Sequence, residues 1–155
     1  MANATDESLT PRHWIALTAL MSGIVALYLH LWKLGLVGSL VCTASHGCEK
    51  AQYSQYGWFL GMDVALIGTI GYALILVTSL VGVQERWIND RRITTILMWL
   101  IIPAFLFTIR LKYAEFVILK TFCPWCAISA VTITLHLILV LVDRRRVARA
   151  APSNV

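Results

Sequence analysis

Charged residues are scarce in this chain, and that scarcity limits what kind of protein it can be. Only 14% of the 155 residues are charged, whereas 59% are hydrophobic, and the mean hydropathy is +0.74. A typical soluble domain contains roughly 45–50% apolar residues, and a small domain leaves too much surface exposed to hide such an excess from water. The composition therefore excludes an ordinary soluble domain and favours a single-domain integral membrane protein.

Acidic residues are also few, 8 against 13 basic ones, which leaves a net charge of +5. A basic excess can indicate nucleic-acid binding, but here the arginines cluster beside apolar segments, at Arg91–Arg92 and at 144–146. Membrane proteins concentrate Lys and Arg in their cytoplasmic segments. We therefore interpret these clusters as topology signals and not as a nucleic-acid patch.

Four apolar stretches are long enough to cross a bilayer, which takes roughly 20 helical residues. The third is short and leaves an extension through Ile118 open. The predicted fold is an all-α integral membrane protein, a bundle of four transmembrane helices with a long outer loop at 33–58. The predicted spans are Trp14–Leu31, Phe59–Val83, Ile93–Ile109 and Phe122–Val142.

The distribution of Lys and Arg predicts the orientation of the chain. With the N-terminus inside, eight basic residues lie on the cytoplasmic side and five on the outer side. We expect a cytoplasmic tail at 1–12, a membrane domain at 13–143 and a basic cytoplasmic tail at 144–155, with all four cysteines on the outer side. A cleaved signal peptide is the alternative for the first span, but its apolar run exceeds the usual core of about 7–15 residues.

The motif Cys123-Pro124-Trp125-Cys126 opens the fourth span. Proline suits the first helical position, which places Cys123 at the N-cap, where free amides and the helix dipole favour a thiolate. Cys126 lies about 4.5 Å further along the helix axis. The two sulfurs are therefore expected to form a reducible disulfide.

A second pair, Cys42 and Cys48, lies in the outer loop with five residues between them, and Gly47 eases the turn. A mobile disulfide there can meet a protein partner and then the C-x-x-C pair, which predicts a two-stage relay by disulfide exchange. Three alternatives stay open. The cysteines are inert structural disulfides, thiolate ligands of a metal site that includes His46, or small buried residues.

Further residues add to the cysteine pattern: Ser54-Gln55-Tyr56-Gly57 after the loop pair, then Gly61 to Gly68 and Tyr72 in the second span. Together with both cysteine pairs, this combination resembles the vitamin K epoxide reductase family in its bacterial form, over nearly the whole chain. The resemblance implies a quinone pocket near the outer end of the bundle, capped by a short helix after Cys48 that carries Ser54.

By this resemblance each cysteine has a role: Cys42 meets the partner's thiols, Cys48 exchanges with Cys123, and Cys126 donates electrons to the quinone. The quinone, ubiquinone or menaquinone, is then the acceptor, with no metal and no flavin. The partner is a separate periplasmic thioredoxin-fold protein resembling DsbA. The implied function is a thiol:quinone oxidoreductase of the bacterial inner membrane that supports disulfide-bond formation. The implied quinone-binding residues are Ser54, Ala51, Tyr56, Val64, Leu111, Glu115 and Leu119.

Two positions depart from the family pattern. Asp63 stands where relatives often carry proline, and Ala130 stands where the vertebrate enzymes have a tyrosine that contacts the vitamin. The second departure favours a plain quinone over an epoxide. Glu115 either pairs with Lys112 or Arg110 or supplies a proton to the reduced quinone. The competing functions are a non-enzymatic four-span protein with structural disulfides and a metal-binding membrane protein.

Overall fold

The computed structural model describes residues 9–40, 42 and 47–150 and is mainly helical there. Four helices are long and apolar enough to cross a membrane, which confirms the predicted all-α membrane fold. The third of them, α4, continues into a π-helical turn at Ala114–Ile118. The helices are α1 Pro11–Lys33, the short α2 Gly47–Tyr53, α3 Val64–Val83, α4 Arg91–Tyr113 and α5 Pro124–Ala150.

The segment between α2 and α3 is not part of a span, and here the prediction of a helix from Phe59 is wrong. A 3₁₀ turn at Gln55–Gly57 leads into an antiparallel pair of two-residue strands, β1 Trp58–Phe59 and β2 Met62–Asp63. Leu60 and Gly61 between the strands have φ angles of 52° and 79°. A helix cannot pass through such left-handed residues, so α3 begins only at Val64.

The other span boundaries also differ from the prediction at their ends. The third span runs from Arg91 through Ile118, so the extension that the sequence left open is present. The fourth begins at Pro124 and continues to Ala150, past the predicted end at 142. Residues 1–8 of the predicted N-terminal tail, and His46, lie outside the described residues.

The four long helices form a closed ring in which α1 packs on α3 and α5, and α4 packs on the same two helices. Ile15, Ile75, Leu97, Ile101 and Val140 fill its centre and are almost completely buried. Large apolar side chains also cover the outside, among them Trp99, which is 76% exposed, and Val131, which is 70% exposed. A surface of this kind is stable in a bilayer, where the surrounding solvent is hydrocarbon.

One arginine connects all four long helices at what we call the inner end, the end of the bundle that holds Arg12, Asp90 and Asp143. The Arg12 side chain is fully buried and pairs with Asp143 in α5 at 2.9 Å. It also donates to the Thr94 hydroxyl in α4 and to the carbonyl of Gly82 in α3. A buried ion is tolerated only when it is paired and hydrogen-bonded, and these contacts meet that condition.

Asp63 has the corresponding position at the opposite end, which we call the outer end. Its carboxylate accepts hydrogen bonds from Lys33 at 2.5 Å, from His30 at 2.7 Å and from the Ala65 amide at 3.1 Å. Burial raises the Asp63 pKa, but the hydrogen bonds from Lys33, His30 and Ala65 together outweigh burial and hold the pKa below its ordinary value. Asp63 thus ties the end of α1 to the start of α3.

The inner cluster gives a first prediction. Arg12→Met should lower the unfolding temperature in detergent by roughly 10 °C, because Asp143 loses its fully buried partner and of its two ion pairs keeps only the one with the partly exposed Arg146, at a cost of about 3–5 kcal/mol. Arg92→Met is the matched control, since Arg92 lies exposed in the first turn of α4. Equal unfolding temperatures for the two variants would show that the cluster does not hold the helices together.

Candidate active site at the outer end

The short helix α2 lies against the chain just before α5, and a glycine makes this approach possible. A Cβ atom added to Gly47 would lie 2.5 Å from the Phe122 carbonyl oxygen and 2.8 Å from the Thr121 hydroxyl. Cys48 follows Gly47 and Cys123 follows Phe122, so the contact brings one cysteine of each pair to the same place. Both of these cysteines are completely buried.

The two pairs are in different redox states. Cys42 and Cys48 form a disulfide with an S–S distance of 2.03 Å. Cys123 and Cys126 are free thiols. The described positions of all four cysteines are at the outer end, away from Arg12 and Asp143. The predicted relay requires both pairs to lie at the same end of the bundle, and the four cysteines do.

Cys123 precedes the first residue of α5, Pro124, as the motif predicts. The Cys126 backbone amide donates to the Cys123 sulfur at 3.3 Å. The hydrogen bond from the Cys126 thiol is the largest influence on the Cys123 pKa; it outweighs burial, which raises the pKa, and the pKa lies below its ordinary value. Cys123 is thus the member of the pair whose surroundings favour a thiolate.

Glu115 fixes the start of α5 from the π-helical turn at the end of α4. One carboxylate oxygen accepts the Cys123 amide at 2.6 Å, and the other accepts the Lys112 ammonium at 2.7 Å. Of the two ion pairs considered for Glu115, the one with Lys112 is present, whereas Arg110 lies over the Phe59 ring. Glu115 is buried and satisfies an amide that has no acceptor within α5.

A cavity of about 460 Å³ lies between the long helices beneath α2. This volume is within the range of about 300–1,000 Å³ typical of small-molecule sites. Cys126 lines it together with Tyr72 and Ser129. Six of the seven residues expected at a quinone also line it: Ala51, Tyr56, Val64, Leu111, Glu115 and Leu119.

Ser54, the seventh expected residue, does not line the cavity. Its hydroxyl donates to the Ala51 carbonyl at 2.8 Å and accepts the Tyr56 amide at 3.2 Å. It also follows the last residue of α2, so it caps the 3₁₀ turn and is not part of the short helix. Ser54 therefore shapes the turn that carries Tyr56 to the cavity.

Gln52 is a site residue that the sequence reasoning missed. It is buried, lines the cavity, and places its amide nitrogen 3.5 Å from the Cys126 sulfur. Gly57 packs directly against the Gln52 carbonyl, where a Cβ atom would collide. One signal was available: Cys48 and Gln52 are four residues apart, so on a helix they share a face.

The cavity walls suit a flat ring with a hydrocarbon tail. Ala26, Leu29, Ile67 and Ile75 supply apolar surface, and a Cβ atom at Gly71 would meet nothing within 4 Å. The polar side chains in the lining include those of Gln52, Tyr56, Lys112 and Glu115. Within the described residues no three His, Cys, Asp or Glu side chains are grouped so that they could hold a metal ion.

A comparison with protein-family models matches residues 13–141 to the Vitamin K epoxide reductase family. The matched segment runs from the third residue of α1 far into α5 and includes every cysteine. It confirms the resemblance inferred from the cysteine pairs and the second span. Members of this family are membrane oxidoreductases that act on thiols and quinones. Because the match covers most of the sequence and contains the whole of the site just described, the chain belongs to the vitamin K epoxide reductase family.

Proposed function

We propose that this protein is a thiol:quinone oxidoreductase that reoxidises a separate thioredoxin-fold partner resembling DsbA and reduces a quinone in the membrane. One observation carries the proposal. Cys126 lines an apolar cavity, while its partner Cys123 lies beside the contact that anchors the loop disulfide. The site can therefore accept electrons from a protein on one side and deliver them to a lipid-soluble acceptor on the other.

The transfer proceeds in steps that conserve electrons. The partner's two thiols reduce the Cys42–Cys48 disulfide and leave as a disulfide. The Cys48 thiolate then attacks the Cys123 sulfur of an oxidised Cys123–Cys126 pair and releases Cys126. Cys42 next attacks Cys48 in this mixed disulfide, which restores the loop disulfide and leaves Cys123 and Cys126 as thiols.

A quinone, ubiquinone or menaquinone, supplies an acceptor for two electrons and two protons. The chain's own residues bind and orient it. The apolar surface of the cavity includes Leu29, Ile67 and Ile75. The Gln52 amide nitrogen lies beside the sulfur of Cys126, which donates the electrons. Low exposure at Cys123 and Glu115 excludes water from the position where the sulfurs react.

The orientation follows from the charges at the two ends. The inner end holds Arg91, Arg92 and the arginines of the last turns of α5, which belong on the cytoplasmic side of a membrane. The outer end, with the cysteines, then faces an oxidising compartment where disulfide exchange is possible. We therefore propose that the protein lies in the bacterial inner membrane with both termini in the cytoplasm.

The central experiment is quinone reduction by the purified protein under anaerobic conditions, with a reduced thioredoxin-fold donor. Cys126→Ser should abolish turnover, because no disulfide can form when electrons leave the C-x-x-C pair. Thr134→Ala is the control, since Thr134 is exposed on the same helix and bonds only to the Ala130 carbonyl in its own helix. Unchanged turnover in Cys126→Ser would contradict the proposal.

The order of the loop cysteines is tested by trapping. When it is mixed with the oxidised partner, Cys48→Ser should accumulate a mixed disulfide between Cys42 and the partner, because the Cys42 thiolate opens the partner's disulfide and no Cys48 is present to displace the partner. Cys42→Ser should accumulate none. Non-reducing gels followed by mass spectrometry identify the joined cysteines, and equal trapping by both variants would contradict the assigned order.

The contact at Gly47 gives a further prediction. Gly47→Ala should slow electron transfer from the loop pair to Cys123–Cys126 by about 10²-fold, because a displacement near 1 Å can cost that much. Gly38→Ala is the matched control, since its added Cβ meets nothing within 4 Å. Rapid-quench thiol alkylation measures the transfer. Direct reduction of Cys123–Cys126 by dithiothreitol should stay unchanged, and a normal transfer rate in Gly47→Ala would show that the contact is dispensable.

A further inference from the structure

A cation lies in the wall of the cavity close to the reacting sulfurs. Among the described residues that line the cavity, Lys112 is the one Lys or Arg. Its side chain is only 19% exposed. The sequence pointed to Lys112 solely as an ion-pair partner of Glu115, yet Lys112 lines the same cavity as Glu115 and Cys126.

The Lys112 ammonium is held on two sides. It donates to one Glu115 oxygen at 2.7 Å, while the other Glu115 oxygen is occupied by the Cys123 amide. The Phe116 and Phe122 ring centres lie 5.4 Å and 5.9 Å from the nitrogen, within range of a cation–π contact. An ammonium has three N–H donors, so donors remain for an acceptor inside the cavity.

The chemistry at Cys126 creates a need for such a cation. When two thiols become the Cys123–Cys126 disulfide, two electrons and two protons leave the pair, and ring oxygens of the quinone take up both, giving a hydroquinone. Negative charge develops on an oxygen wherever the electrons arrive before the protons. Such a charge is costly in an apolar cavity, and a fixed cation beside it lowers the barrier.

We propose that Lys112, positioned by Glu115, is a catalytic residue that stabilises the negative charge developing on the quinone oxygen while the Cys123–Cys126 disulfide forms. This inference rests on the proposed quinone reduction. The Glu115 carboxylate also accepts a hydrogen bond from the Cys123 amide. Glu115 therefore fixes the position of the C-x-x-C pair, which donates the electrons, and of the Lys112 ammonium. Lys112 is not consumed, because the protons that complete the reaction come from the two thiols.

The simpler role for Lys112 is to hold Glu115 in place, and suitable variants separate the two roles. Lys112→Gln keeps a hydrogen-bond donor for Glu115 but removes the charge. Lys112→Arg keeps the charge and can pair with a carboxylate through two hydrogen bonds. Lys50→Met is the control, because Lys50 lies exposed on α2. Lys112→Met is a second neutral variant for use if Lys112→Gln does not fold.

The kinetic test uses dithiothreitol as the donor and a short-chain quinone as the acceptor, so no protein partner is involved. Lys112→Gln should lower kcat by about 10²-fold, the scale for losing one group that stabilises a developing oxyanion, with little change in KM. Lys112→Arg should stay within about tenfold of the unchanged protein, since it retains the positive charge. The Lys50→Met variant should match the unchanged protein.

Two further measurements do not depend on turnover. Equilibrium dialysis should show the oxidised short-chain quinone binding to Lys112→Gln with nearly the original affinity, because the cation acts on charge that is not yet present. Alkylation of Cys123 and Cys126 without quinone should slow much less than turnover, because the Lys112 charge is the smallest of the influences on the Cys123 pKa. An alkylation rate that falls as far as kcat would show that Lys112 acts through the thiols and the structure and would overturn the inference.

A kcat for Lys112→Gln within twofold of the original, or an equal loss in Lys112→Arg, would also overturn the inference. Neither result touches the cysteine relay, which Cys126→Ser tests separately. If the unchanged protein reduces no quinone at all, the proposed function itself fails, and the role of Lys112 fails with it.

Discussion

The hydrogen bond between the Cys123 amide and Glu115 joins the end of the third span to the start of the fourth, and the arrangement of the site depends on it. The π-helical turn at Ala114–Ile118 brings the carboxylate to this position. With the start of α5 fixed, Cys126 faces the cavity, and Phe122 presents its carbonyl to Gly47. The position of the C-x-x-C pair therefore depends on Glu115, which lies eight residues before Cys123.

Charged groups inside the bundle are concentrated at its two ends and are paired there. Arg12 and Asp143 connect the helices at the inner end, and Asp63 with Lys33 and His30 connects α1 to the start of α3 at the outer end. Between them the core is mainly aliphatic. This division leaves an apolar cavity next to a polar outer end, as a reaction between thiols and a lipid-soluble acceptor requires.

The sequence predicts the spans well because hydropathy measures solubility in the bilayer, but it does not predict the backbone turns between them. The segment between α2 and α3 contains Phe59, Leu60 and Met62 and is there as apolar as a helix in lipid. Hydropathy therefore could not show that Leu60 and Gly61 adopt left-handed backbone angles and form a hairpin. The cysteine pairs were identifiable from spacing. Gln52 had only its four-residue spacing from Cys48 as a signal, and the place of Lys112 in the cavity wall had none, because it depends on how separate helices pack.

The two ion-pair clusters of the outer end join the helices in a particular order. Asp63 ties α1 to the start of α3, and Glu115 ties α4 to the start of α5. Within the described part of the chain, no ion pair crosses directly from α3 to α4 at this end; there Ile67 and Gly71 face the same cavity as Pro103 and Phe107. No ion pair would have to break for this lateral seam to widen toward the lipid, which is the side from which a lipid-soluble quinone would approach the proposed site.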